Sequence, residues 1–418
     1  MRFLADFHLH SRFSRATSHR LDLSSIWIWA QKRGICLVGT GDLTHPAWMT
    51  EIIEGLIEDS PGIFALKRDQ ELALETKVPE ACRGLVRFLL TGEISTIYKR
   101  GGKVRKVHHL VLAPSISVAK KIGDKLAEIG NVCSDGRPIL GLDSRDLLEI
   151  LLEMDERCCL IPAHIWTPWF SVLGSKSGYD SIEECYRDLS DKIIAVETGL
   201  SSDPPMNWRL SGLDRYTLVS NSDAHCPQNL GRNACIFDCD VSYPGIIEAL
   251  KCGNAPQYLG TVDMFPQQGK YHFDGHRRCG VRLHPKDTQA LRGLCPVCRS
   301  PLTVGVLHRV QDLADRAEDV RRGGRAPFVR LVFLREAIAE VLGRGPQTKA
   351  VNIMYESLLS SLGSEMHVLM EASLDSIENV TGSRTAEAVR KIRAGEIDVE
   401  EGYDGVYGTV RILSDQGH

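Results

Sequence analysis

The chain has 418 residues, 43% apolar and 25% charged, with 50 Lys and Arg against 54 Asp and Glu for a formal net charge of −4. That composition can bury substantial cores and excludes intrinsic disorder as an overall description, and the length predicts two or three domains. No run of eighteen apolar residues occurs, so no membrane-spanning helix is expected.

At the start, MRFLADFHLHSRFSR lacks a signal-peptide layout, because its short apolar run breaks on Asp6 and His8. Over residues 1–265 short apolar runs alternate with helical patterns, which predicts an α/β architecture with parallel strands. The runs cover 2–7, 35–39, 86–90, 109–113, 158–161, 193–196 and 217–219. Amphipathic stretches at 22–32, 116–129 and 145–152 lie between several of them. Seven such units predict a barrel-like closure. The runs adjoin, in turn, His8 and His10, Asp42 and His45, Glu93, His109, His164, Glu197, and Asp223 with His225. In β/α barrels the C-terminal strand ends form the face where catalytic side chains converge.

Around Phe265 the texture changes. Residues 270–299 hold His272, His276, Cys279, His284, Cys295 and Cys298. Beyond Leu302 the pattern becomes helical, at 331–342, 348–362, 365–380 and 384–393, with Gly343, Gly363, Gly382 and Gly395 at the stops. The expected domains are therefore 1–265, 266–310 and 311–418. Over 266–345 Lys and Arg outnumber Asp and Glu by 15 to 8, so positive charge is concentrated there. The 13 cysteines are odd in number and scattered apart from Cys295 and Cys298, which argues for a reducing, cytoplasmic setting.

His8-Leu9-His10 on an extended segment puts both imidazoles on one side of a strand, where one metal can take both. Asp223-Ala224-His225 repeats the spacing with a carboxylate. Imidazole and carboxylate ligands suit Zn²⁺, Mn²⁺ or Fe²⁺, with Mg²⁺ an alternative beside Mn²⁺, and the lack of a thiolate argues against a purely structural ion. Nine candidates (His8, His10, Asp42, His45, Glu93, His109, His164, Asp223 and His225) exceed what one ion needs, so two or three ions are expected. Clustered ions of this kind acidify water and neutralise charge on a transferring phosphoryl group, which favours phosphate-ester hydrolysis.

His276-x-x-Cys279 and Cys295-x-x-Cys298 read as the two halves of one structural Zn²⁺ site, with His284 or His272 as alternatives to His276. Arg277, Arg278, Arg282, Lys286, Arg292 and Arg299 surround them with charge suited to phosphate backbones. Between Glu93 and His109 a hairpin carries Lys99, Arg100, Lys103, Arg105 and Lys106, which suits either phosphate positioning or a solubilising hairpin. Trp166, Trp169 and Phe170 follow His164 and predict base stacking or a packed lid. The turn 342–349 resembles a helix–hairpin–helix turn, whose amides would face phosphate.

HLH, TGE, HHLVLA, PAH, a later glutamate and SDAH resemble the motif series of the PHP (polymerase and histidinol phosphatase) superfamily over roughly residues 1–265. The resemblance implies a distorted (β/α)₇ barrel with a di- or trinuclear centre. His8, His10, Glu93 and Asp223 would hold one ion and Glu93, His109 and His164 a second, while His225 would belong to a third. Asp223, Glu93 and His225 are the expected catalytic residues. The Thr-Asp-His common after the second strand is replaced by Gly41-Asp42-Leu43-Thr44-His45, which leaves the third ion's ligands open, with His19 as a substitute. His108 is read as the neighbour of a ligand, and Glu197 as an orienter of one or merely an acid at a strand end.

Over almost the whole chain the sequence is similar to the endonuclease Q family, through SRFSRATS, GTGDLTHP, KYHFDGHRRCGVRLHP, CPVC and LTVGVLHRV. That implies a PHP barrel, a small zinc-binding module and a helical C-terminal domain. It also implies a DNA-repair endonuclease cutting 5′ to uracil, hypoxanthine, xanthine or abasic sites. DNA carrying such lesions is then the partner, with no membrane and a monomer favoured. A PHP phosphatase on a small monoester would use the same metals without needing the basic zinc module, and a non-catalytic DNA-binding protein would have vestigial ligands. No sliding-clamp peptide is expected in 411–418.

Overall fold

The structure is a computed structural model that describes residues 1–318 and 324–413; the last five residues of the 411–418 stretch lie outside the described residues. All seven apolar runs form strands, and their period-two alternation explains how. Phe3, Ala5 and Phe7, Leu37, Leu89, Leu110 and Leu112, Cys159 and Ile161, Ala195, and Val219 point into one shared cluster with Cys235 and Phe237. Their neighbours Val38, Phe88, Val111, Leu160 and Val196 face the opposite way, into a second cluster. Ile26 and Trp27 of helix Leu23–Arg33, Ile122 of helix Ile116–Ala127 and Leu147 of helix Ser144–Met154 pack there.

Strand direction departs from the all-parallel expectation. Arg2–Asp6, Leu37–Gly39 and Arg87–Leu89 pair in parallel, as do Ala195–Glu197 and Thr217–Val219. Lys103–Leu112, however, runs antiparallel to both Thr91–Arg100 and Cys159–Pro162, and Arg2–Asp6 runs antiparallel to Ala234–Asp238. The first of these follows from the turn. Gly101 and Gly102 have φ of 59° and 74°, and a two-residue turn of this kind can join only antiparallel neighbours.

Helix Val306–Leu313 crosses the boundary expected at 311, and among the described residues that follow, Phe328–Arg330 pairs in parallel with Tyr258–Asp263 before helices resume at Leu334. Leu334–Leu342, Lys349–Leu362, Glu365–Met370, Leu374–Thr381 and Ser383–Ala394 follow. The helix expected over 365–380 is broken because the Ser373 hydroxyl accepts from the Ser376 amide and caps a new one. A final hairpin, Asp398–Glu400 with Thr409–Arg411, returns to the segment 266–310, where the Phe273 amide donates to the Gly402 carbonyl at 2.9 Å.

Helix Leu23–Arg33 ties the helical region to the sheets. Arg33 is 1% exposed, pairs with Glu365 and lies 4.3 Å from the Phe333 ring centroid. Glu365 also accepts from the Leu334 amide at 3.0 Å and the Tyr355 hydroxyl at 2.8 Å. Removing one partner of a buried pair strands the other charge, at about 3–5 kcal/mol. Arg33→Met should therefore lower unfolding free energy by about that amount in a denaturant titration, and Arg33→Met with Glu365→Gln should recover part of it.

Candidate metal centre

The strand ends deliver six side chains to one pocket. His8 and His10 follow Arg2–Asp6, Glu93 opens Thr91–Arg100, His108 lies on Lys103–Leu112, and His164 and Asp223 follow Cys159–Pro162 and Thr217–Val219. They form two groups, His8–His10–Asp223 and Glu93–His108–His164, each with its ligand atoms within 4.8 Å of one another. Glu93 joins the groups, with one oxygen 3.7 Å from His8 Nε2 and the other 3.5 Å from His10 Nε2. His10 Nε2 is 3.0 Å from Asp223, and His164 Nε2 is 3.0 Å from Glu93.

The donor set fits divalent cations. His8 is fully buried, yet its Nε2 has no hydrogen-bond partner and faces the two carboxylates. Its Nδ1 is held 2.9 Å from Glu197, which also accepts from Asn221 Nδ2 and the His164 amide. His10 Nδ1 is likewise 3.3 Å from Asp42, and His164 Nδ1 is 3.0 Å from the Thr167 hydroxyl. Such outer partners fix the tautomer and ring plane of a metal-binding imidazole.

Electrostatics point the same way. Burial opposes charge on His8, but Glu197 and Glu93 outweigh it and carry the imidazole well above its ordinary pKa. His10 rises to about 9, with burial overcome by hydrogen bonds to Asp223 and Asp42. Burial would raise Glu93, yet His108, Arg137 and His8 hold it well below the carboxylate range. The carboxylates are thus ionised, and protons on His8 and His10 stand where a cation's charge belongs.

Backbone strain gathers here too. Asp42, His164 and Asp223 have φ of 49°, 32° and 46°, the left-handed region that costs a non-glycine residue about 1–3 kcal/mol. Gly199 makes room for this, since a Cβ there would strike the Cβ of His164.

Several expected ligands lie elsewhere. His109 sits one residue from His108 and therefore on the other face of its strand, where it bonds Tyr186 and Thr96 at 2.9 and 3.0 Å. Burial lowers it to about 3 and keeps it neutral. The register pairs His108 with Ser95, two residues from Glu93, which decides which of the two histidines faces the pocket. Asp42 accepts from Ser11 and Ser14 behind His10 instead of joining the ligand groups. His45 caps helix Pro46–Gly55 and stacks on Phe13 at 4.4 Å, outside the pocket. His225 lies at the rim, its ring 4.6 Å from His10 and its Nδ1 2.9 Å from the Asp223 carbonyl. Glu197 stands behind His8, the orienting place expected for it. Arg137, which the sequence reading passed over, donates to Glu93 at 2.9 Å.

A third group joins His276, Cys279, Cys295 and Cys298, with His276 Nδ1 3.3 Å from the Cys298 sulfur. His284 is drawn instead toward Glu318 at 3.4 Å, and His272 is buried against Phe273. Hydrogen bonds from the Ser300 side chain and backbone hold Cys298 down to about 6, whereas Cys298 and burial push Cys279 up to about 11. Three sulfurs this close can all ionise only around a cation, the chemistry of a closed zinc site.

The basic hairpin divides. Arg100 is committed to Asp143 and to the Glu184 and Cys185 carbonyls, and Arg105 to the Gly178 carbonyl and the Tyr179 face at 4.0 Å. Lys99 and Lys103 are exposed at its tip, and Lys106 lies over Phe170 at 5.3 Å. Trp166 is 1% exposed and donates to Asn207 at 2.8 Å, so it is core; Trp169 is 49% exposed.

His108→Gln should weaken metal binding at least tenfold, by about the factor a lost ligand or orienting partner carries, and His109→Gln should spare it. Elemental analysis of both variants checks this, and the reverse ranking would refute the assignment. Because cations displace the protons of His8 and His10, uptake should release protons. Apparent Mn²⁺ affinity should then rise with pH until the His10 value of about 9 is passed, as calorimetry over that range can test.

Residues 334–396, the helical region, match the family model described as the MJ0043 C-terminal domain. The chain is 32% identical over 252 residues to the uncharacterised protein MJ0043 of Methanocaldococcus jannaschii, covering 59% of this chain and 31% of that one. It thus spans about a third of that relative's length. It is 28% identical to the uncharacterised YqxK of Bacillus subtilis over 97% of this chain and 98% of that one. Among solved structures it resembles the lesion-specific endonuclease PfuEndoQ of Pyrococcus furiosus, with a TM-score of 0.85 and 32% identity over 98% of this chain and 95% of that one. It also resembles endonuclease Q in complex with a 27-mer duplex substrate with an abasic lesion at the active site, with a TM-score of 0.83 and 32% identity over 99% and 98% of the two chains. At that identity over nearly the full length of both chains, the protein belongs to the endonuclease Q family.

Proposed function

We propose that the protein is a metal-dependent endonuclease that hydrolyses the DNA phosphodiester 5′ to a deaminated or abasic nucleotide. The observation that supports it most is the buried pocket in which His8, His10, Glu93, His108, His164 and Asp223 converge in a chain that resembles endonuclease Q throughout. In this reading the strands that share one inward cluster form a distorted seven-stranded PHP barrel, and the pocket is its mouth. His8, His10, Asp223 and Glu93 would hold one ion, and Glu93, His108 and His164 another; Zn²⁺, Mn²⁺ or Mg²⁺ suit these ligands. His225 at the rim is the candidate for a third. Such ions, when bound, activate water and neutralise charge on the phosphoryl group.

The chain's own residues do the positioning. Glu197, Asp42 and Thr167 lock the imidazoles, so no ligand has to reorganise when substrate arrives. Lys106, over the Phe170 ring that packs on His108, and Lys99 and Lys103 farther out at the hairpin tip offer cations for the phosphates that flank the reacting one. Trp169 is placed to stack on, or wedge beside, an extruded nucleotide, and extrusion costs least where pairing is already weak. The basic zinc module and the turn 342–349 supply further phosphate contacts. Residues 343–349 of that turn are exposed, and helix Lys349–Leu362 starts without a side-chain cap. A small-molecule phosphatase would need none of these.

Incision of duplexes carrying uracil, hypoxanthine or an abasic site, with an undamaged duplex as control, tests the proposal. Lesion-dependent nicking is expected, and Asp223→Asn should abolish it. Trp169→Ala should weaken lesion-duplex binding by about 1–3 kcal/mol, the worth of one stacked base. Equal cutting of undamaged DNA, or activity on histidinol phosphate alone, would remove the lesion-specific reading.

A further inference from the structure

The pocket's edge carries a cation that none of the ligand assignments uses. Arg137 lies on the connection between helix Ile116–Ala127 and strand Ile139–Leu140, and three separate devices fix it. Asp135, 5% exposed, accepts from the amides of Arg15 and Arg137 at 3.2 and 3.1 Å, which joins this connection to the loop after His10. Gly136 packs flat on the machinery behind His10, for a Cβ there would strike the Asp42 carboxylate and the Ser14 hydroxyl, and its amide donates to the Phe13 carbonyl at 3.0 Å. Pro138 then accepts from the Ser95 amide at 2.9 Å, two residues from Glu93.

Held this way, the guanidinium reaches Glu93 through Nη1 at 2.9 Å, while the side chain stays 23% exposed at the mouth. Nε and Nη2 make no hydrogen bond among the described residues. A guanidinium offers five donors in a rigid fork, so an edge remains free for an oxyanion. Divalent ions held by Glu93 and Asp223 would add positive charge beside the guanidinium, which the negative charge of an incoming phosphate would offset.

We infer that Arg137 is a catalytic residue that grips the scissile phosphate. One edge stays on Glu93, and the remaining N–H groups donate to a non-bridging oxygen as negative charge grows there. No bond to Arg137 forms or breaks, and it neither gives nor takes a proton. The inference rests on the proposed phosphodiester hydrolysis and adds a residue to it.

Steady-state nicking of a uracil-containing duplex by wild type, Arg137→Gln and Arg137→Lys, with metal content measured on the same samples, separates the possibilities. Arg137→Gln should lower kcat about 100-fold or more, the size of losing one preorganised donor. KM and metal per chain should stay close to wild type, and Arg137→Lys should fall between. Should Arg137→Gln fail to fold, the kcat of Arg137→Lys decides. If Arg137 only balanced Glu93, any change in activity would follow the change in metal content, and activity per bound metal would be unchanged; that outcome sinks the inference. Wild-type nicking with unchanged kcat in both variants overturns it and leaves the nuclease proposal standing. Absence of wild-type nicking overturns both.

Discussion

Four imidazoles and two carboxylates brought within a few ångströms, away from bulk water, can coexist only by sharing positive charge. Protons on His8 and His10 do this in the metal-free pocket, and divalent cations do it better, because each also satisfies several lone pairs at once. Much of the molecule serves to make that crowding possible. The six side chains lie on or just beyond strands whose inward side chains form a continuous apolar cluster, so the strands that carry them cannot drift apart. Asp42, His164 and Asp223 accept left-handed backbone conformations there, a cost of about 1–3 kcal/mol each that persists only where surrounding structure over-determines it.

The ligands' carboxylate supports show the same economy. Glu197 serves His8 and also the His164 amide, and so couples two strand ends through one buried side chain. Asp42 serves His10 and is itself enclosed by Ser11, Ser14 and the backbone of Gly136. The segments after His10, after the Leu37–Gly39 strand and before Ile139–Leu140 therefore interlock. A disturbance in any of them reaches the pocket without touching a ligand.

How much of this the sequence disclosed depended on whether the signal was local. Apolar runs located seven of the eighteen described strands and missed others such as Ala234–Asp238 and Tyr258–Asp263, and His8, His10, Glu93, His164 and Asp223 could be placed because each sits in a short motif near a strand end. The choice between His108 and His109 turns on register, which adjacent histidines do not reveal: only the pairing of His108 with Ser95 puts it on the side of Glu93. Asp42 and His45 carry ligand-type groups, but the left-handed turn at Asp42 and the helix beginning at Pro46 direct them to a supporting carboxylate and a cap. Composition is equally silent about Arg100, Arg105 and Trp166, whose partners lie far away in sequence at Asp143, Gly178 and Asn207. Arg137 is a lone arginine in a loop, indistinguishable by pattern from surface charge.

The same long-range ties bear on what the pocket can act upon. Arg33 and Glu365 bolt the helical region to helix Leu23–Arg33, and the final hairpin joins that region to the segment 266–310, where Asp404 accepts from the Arg277 amide and the Thr303 hydroxyl, both at 2.6 Å. Ile412 and Leu413 amides then bond Glu340 in the first of the C-terminal helices. Elements suited to gripping a phosphate backbone are thus connected to the pocket through buried or multiply bonded contacts, not through a loose linker. A monoester phosphatase gains nothing from such coupling, since its substrate fits inside the mouth. A nuclease gains a good deal, because a duplex held at several points lets binding energy be used to extract one nucleotide, and weakly paired lesions require the least of it.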